Sequence, residues 1–139
     1  MSFDIFLVCF RNGDAAPFKR EVFEAIFLPH CDNVRAYKSD PSFMRVEYRD
    51  GSGGDIYCGD ERDIDNIMFN HCGGESFFND MFDLADRTLS IIFWPDATPV
   101  YVYTNAAVLK ELPKDFIEKG DRSRLVRSGF DIVEAIRSS

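Results

Sequence analysis

The amino-acid sequence predicts an α+β fold. One domain spans residues 1–139, with a mixed, mostly antiparallel sheet of about five to six strands and helices packed against it. Three observations carry this. Two strand-length runs, FDIFLVCF at 3–10 and LSIIFWP at 89–95, are apolar on both alternating faces, as buried strands are. Between them lie stretches whose apolar residues return at helical spacing. A hairpin is also signalled, FMRVEY and DIYCG being joined by the glycine-rich RDGSGGD.

In order along the chain, Phe3, Ile5, Leu7 and Cys9 share one face of the first strand, and Phe6, Val8 and Phe10 share the other. Turn residues follow in RNGDAAP, and Pro17 fits the first position of a helix. That helix puts Phe18, Val22, Phe23, Ile26 and Phe27 on one stripe, and Pro29 ends it. FMRVEY at 43–48 alternates, with Met44, Val46 and Tyr48 inward, and RDGSGGD turns the chain into a second strand, DIYCG. IDNIMFNH at 64–71 is a third, with Ile67 and Phe69 inward. A second helix follows, with Ser76 as N-cap and Phe78, Met81, Phe82 and Ala85 buried. PVYVYT is another strand, AAVLKEL and PKDFIEKG are helical with Gly120 as a stop, and RLV is short and extended. Ser128 caps a closing helix whose stripe is Phe130, Val133 and Ile136, with Asp131 completing a capping-box-like pair. Phe6, Leu7, Val8, Phe82, Ile92 and Phe93 are expected core, covered on both sides by helices or by a second copy in a homo-oligomer.

Composition sets limits on function. The chain has 139 residues, 45% hydrophobic and 14% aromatic, enough to bury a core without cross-links. A net charge of −8 argues against nucleic-acid partners, which need Lys and Arg in excess. No apolar stretch approaches the roughly 18 residues of a membrane helix, and the start lacks a basic leader, so no membrane association and a cytoplasmic location are expected. The four cysteines, at 9, 31, 58 and 72, are expected to be reduced thiols.

Motifs with chemistry are few. In FNHCGGESFF (69–78), Cys72 precedes a helix start, where a thiol pKa is lowered, and Gly73 and Gly74 would let a ligand approach. His71 is its neighbour, but adjacent strand residues point to opposite faces, so it is badly placed as a base. A structural strand end is the reading preferred. His30-Cys31 and His71-Cys72 offer four potential zinc ligands, without the two-to-four-residue spacing of paired ligands. DGSGGD is a hairpin rather than a phosphate loop, and GDERDIDN lacks the glycine and closing glutamate of a calcium loop. No cofactor or metal is expected.

Charge is the informative feature. Residues 40–96 hold 13 Asp and Glu against 4 Lys and Arg, whereas the rest is nearly balanced. The carboxylates Asp60, Glu61, Asp63 and Asp65 lie in one loop, and Asp80, Asp83 and Asp86 recur every third residue on the second helix. These seven are the expected face for a basic protein partner, since complementary charge raises the rate of encounter.

The segments MSFDIFLVCFRNG, PFKREVFEAIF, LSIIFWPD and VRSGFDIVEAI resemble a family of small uncharacterised bacterial cytosolic proteins, a likeness that spans nearly the whole chain and brings no catalytic motif. In general character the chain is also similar to bacterial toxin-immunity proteins, which are small, acidic, α+β and without catalytic groups. That likeness implies a non-enzymatic protein-binding module whose basic partner is a toxin. The alternative is an enzyme or small-ligand-binding protein with its site at Cys72 and the N-terminus of the helix starting near Ser76. The two differ in geometry: the first needs a shallow acidic face, the second a concave pocket around Cys72.

Overall fold

The first apolar run forms the centre of the sheet. In the computed structural model, which describes residues 4–95, 100–118 and 123–138, β1 (Ile5–Arg11) pairs antiparallel with two strands. These are β7 (Asn66–Gly73) on one side and β8 (Ser90–Trp94) on the other. The hairpin β4 (Phe43–Glu47) and β5 (Gly53–Tyr57) extends the sheet beyond β7. Past β8 come β9 (Val100–Tyr103) and β10 (Ser123–Leu125), the last pair being parallel. These seven strands already exceed the sequence expectation, and short pairings add to them. β2 (Asp14–Ala15) folds back on β1, and β3 (Phe18–Lys19) pairs with β6 (Asp63–Ile64) apart from the main sheet.

The register decides where the core sits. Leu7 lies opposite Ile67 and Ile92, Ile5 opposite Phe69, and Ile92 opposite Val102, so one face carries a row of fully buried apolar side chains. Helices α1 (Arg20–Phe27), α3 (Glu75–Thr88) and α5 (Gly129–Arg137) cover it. Aromatic rings join the layers: Phe27 lies 6.1 Å from Phe69 and 6.0 Å from Phe77, and Phe77 meets Phe69 edge-on at 5.6 Å. Gly54 of β5 makes room for Phe77, because a Cβ there would stand 2.7 Å from the ring.

The opposite face is covered over only part of its width. A 3₁₀ turn at Ala106–Glu111 and the short α4 (Lys114–Glu118) place Val108, Leu112 and Phe116 over Ile91, Phe93 and Tyr101. This thinner cover accounts for Phe6, Val8 and Phe93 being less buried than expected. Leu7 and Ile92 are fully buried, whereas Phe6, Val8 and Phe93 on the second face, and Phe82 on α3, are half-buried. Phe6 and Phe93 stack at 5.3 Å instead.

Four local expectations are also corrected. Pro17 does not open α1; Phe18 and Lys19 are held extended by β6, so the helix begins at Arg20. The segment after Pro29 contains an unforeseen helix, α2 (Val34–Ser39), started by the Asn33 side chain accepting from the Ala36 amide. Ser76 is not the N-cap of α3, because the helix opens after Gly74, whose φ of +95° suits glycine. The stripe of α5 is Ile132, Ala135 and Ile136; Val133 is half-buried and Phe130 is 65% exposed. Gly129 causes that rotation. It presses so closely on α3 that a Cβ would lie 2.5 Å from the Phe78 carbonyl carbon, which turns the next residue outward. The Ser128 cap is present, its hydroxyl accepting from the Asp131 amide at 3.2 Å. Gly120 lies outside the described residues. Among the described residues, no helix is long and apolar enough to cross a membrane.

Candidate functional site

The acidic loop is built around one cation. Arg20, the first residue of α1, sends its guanidinium into the chain between β5 and β6. Its Nε donates to the Glu61 carbonyl at 2.7 Å, and its terminal nitrogens to the carbonyls of Pro41 at 3.0 Å, Cys58 at 3.5 Å and Gly59. The same group donates to the Tyr37 hydroxyl at 3.0 Å, and Tyr37 in turn donates to Glu24 at 2.8 Å. The Arg20 amide completes the clamp by donating to the Arg62 carbonyl. Tyr37 is buried, which pushes its phenol up to about 12 and keeps it a donor at neutral pH.

The consequence lies in what Arg20 does not touch. It takes main-chain carbonyls and leaves the carboxylates free. Asp60, Glu61, Asp63 and Asp65 are all exposed, and none forms an ion pair within 4 Å with another described residue. Asp65 accepts a hydrogen bond from the Asn66 amide group at 2.9 Å. No pattern in the sequence singles out Arg20, because a helical arginine is ordinarily a solvated surface residue.

The three acids on α3 have different surroundings. Asp80 is turned inward. It accepts from the Tyr48 hydroxyl at 2.6 Å, His30 approaches to 3.7 Å, and the His30 and Tyr48 rings stack at 4.1 Å. Burial raises its carboxyl above the ordinary range, opposed by the Tyr48 hydrogen bond. Asp83 pairs with Arg87 at 2.9 Å one turn along, and Asp86 is exposed. The anchoring hydrogen bonds of the loop run to Arg20 rather than to α3. Asp60, Glu61, Asp63, Asp65 and Asp86 are exposed, Asp63 from within β6, whereas Asp83 is half-buried beside Arg87.

At the other candidate position, His71 and Cys72 do point to opposite sides. His71, at φ +50°, meets Asp55 at 2.8 Å on the outer face. Cys72 is buried, and burial pushes its thiol up to about 12. Burial thus favours the protonated thiol at neutral pH, the less reactive form. The start of α3 beside it is already capped from outside: Ser76 donates through its hydroxyl to Asp50 at 2.6 Å, and its amide donates to Ser52 at 3.2 Å. Hydrogen bonds from the Ser76 hydroxyl and from Ser52, whose amide donates at 2.9 Å, hold the Asp50 carboxyl well below the usual range. Yet the place is concave. Cys72, Gly73, Gly74, Phe78, Phe130 and Arg137 are among the residues lining a half-open cavity of about 470 Å³ between β7, α3 and α5.

The dipeptides His30-Cys31 and His71-Cys72 do not converge. His30 faces Asp80 and His71 faces Asp55, and no group of three metal-ligating side chains exists among the described residues. Comparison with protein-family models, curated proteins and solved structures found no match for this chain.

Proposed function

We propose that this chain is a non-enzymatic binding module that docks a basic protein through the loop at Asp60, Glu61, Asp63 and Asp65. The Arg20 clamp supports this reading best. A loop whose main chain is already fixed loses little freedom on association, so its carboxylates meet a cationic surface at small entropic cost. Exposed, like-signed charge also steers encounter. Neutralisation of a basic toxin, as an immunity-type protein performs it, is the instance that the small, acidic α+β character suggests.

The test is kinetic. A partner captured from the native host is titrated against the chain and against a variant with Asp60, Asp63 and Asp65→Asn and Glu61→Gln. Association is expected to slow by roughly tenfold or more in the variant, and to depend less on added salt than in the parent. Equal rates with equal salt dependence would mean that the loop is merely solvated surface.

The cavity beside Cys72 supports a second reading, a small-ligand site. With the thiol protonated, binding there would be non-covalent.

A further inference from the structure

Resting on that second reading, the geometry points to a ligand class for the cavity beside Cys72: a small amphipathic carboxylate, such as a medium-chain fatty acid or an arylalkanoic acid. At about 470 Å³ the cavity lies within the ~300–1,000 Å³ of small-molecule sites. Its walls are mainly apolar, from Phe78, Phe130 and Val133, with the uncharged Cys72 thiol among them. Among the described residues, Phe130 is the most exposed large hydrophobic side chain, at 65%, and the close approach of Gly129 to α3 holds it at this rim. An apolar body laid against it removes that surface from water.

Arg137 is the one cation of the lining. Its present partner, Glu134, sits at 3.5 Å, with both side chains largely exposed, so the pair is weak and the guanidinium is open to exchange. A carboxylate suits it, because the planar fork binds two oxygens at once. The N-terminus of α3 adds no further anion site, being capped by Asp50, and Glu75 on the lining repels acid from that end. Both facts direct the carboxylate to Arg137 and the apolar body along the aromatic wall.

The experiment titrates the full chain with decanoate, decanol and decyltrimethylammonium below their micellar concentrations, followed by amide-resolved NMR. Decanoate is expected to shift residues 72–75 and 129–137, and to bind roughly tenfold or more tighter than decanol, the worth of one charge-assisted contact. Arg137→Gln should remove that preference while keeping decanol affinity. Gly73→Leu, at a position where an added Cβ meets nothing within 4 Å, should plug the cavity and abolish both without unfolding the chain. Equal affinity for decanoate and decanol, or a preference that survives Arg137→Gln, overturns the ligand class and leaves the cavity a binding site. Absence of localised shifts with all three probes overturns the cavity reading itself.

Discussion

Replacing Gly129 with alanine sets two effects of opposite sign against each other. Alanine is the better helix former by up to ~1 kcal/mol, and by less at the first residue of α5. The new Cβ, however, would stand 2.5 Å from the Phe78 carbonyl carbon and 2.6 Å from Asn79 Oδ1. The first of these belongs to the main chain of α3 and cannot rotate aside. The helices must separate, loosening Ile132 and Ala135 from their shared core, and overpacking of this kind costs about 1–3 kcal/mol. Sterics therefore win, by about 1–2 kcal/mol, and thermal unfolding monitored by circular dichroism should show Tm lower by roughly 3–8 °C. Gly73→Ala is the control, since open space surrounds its Cβ, and it should move stability by no more than ~0.5 kcal/mol. An unchanged or raised Tm for Gly129→Ala would refute the close α3–α5 approach, and with it the account of why Phe130 faces outward.

Three further outcomes follow from the hydrogen bonds and titrations. The Cys72 thiol ordinarily ionises near pH 9 and is raised to about 12 by burial, so above pH 9 the unfolded chain loses its proton first and stability falls up to about pH 12. Cys72→Ala should flatten that alkaline loss in urea titrations, and iodoacetamide should label Cys72 at neutral pH far more slowly than free cysteine. Asp50, whose carboxyl is held low by Ser76 and Ser52, contributes stability that is present above its ordinary pKa of 3.8 and lost as the pH falls below it. Asp50→Asn should lower Tm at neutral pH and weaken this acid dependence; an unchanged melting profile across that range would rule out the cap. Arg20→Lys keeps the charge but cannot reach the carbonyls of Pro41, Gly59 and Glu61 together, so trypsin should cut after Arg62 faster than in the parent. Equal cleavage rates would show that the loop does not depend on the clamp.

Much of the architecture is legible in the residues themselves. Ile5 to Arg11 and Ser90 to Trp94 are apolar on both faces, and a strand of that kind has to lie inside a sheet. Turn glycines between alternating runs specify the β4–β5 hairpin, helical spacing marks α3, and Ser128 with Asp131 marks the start of α5. Each of these signals is local, since a side chain's period or cap lies within a few residues of its cause. The crowding of carboxylates at 60–65 is equally local and needs no fold to be seen.

Tertiary structure decided what those groups do, because the deciding contacts join positions far apart in the chain. Arg20 meets Glu61 across 41 residues, Tyr48 meets Asp80 across 32, and Ser76 meets Asp50 across 26. Spacing along α3 makes Asp80, Asp83 and Asp86 equivalent, yet only Asp80 lies beneath Tyr48 and His30 and is withdrawn from the surface. Ser76 follows the composition rule for a helix start, but the hairpin at Asp50 and Ser52 supplies the cap instead. Phe130 belongs to an apolar pattern that would bury it, and the backbone contact at Gly129 turns it to the rim of the cavity. Periodicity fixes which residues share a face, whereas the rotation of that face is set by the closest approach of two backbones, which only packing determines.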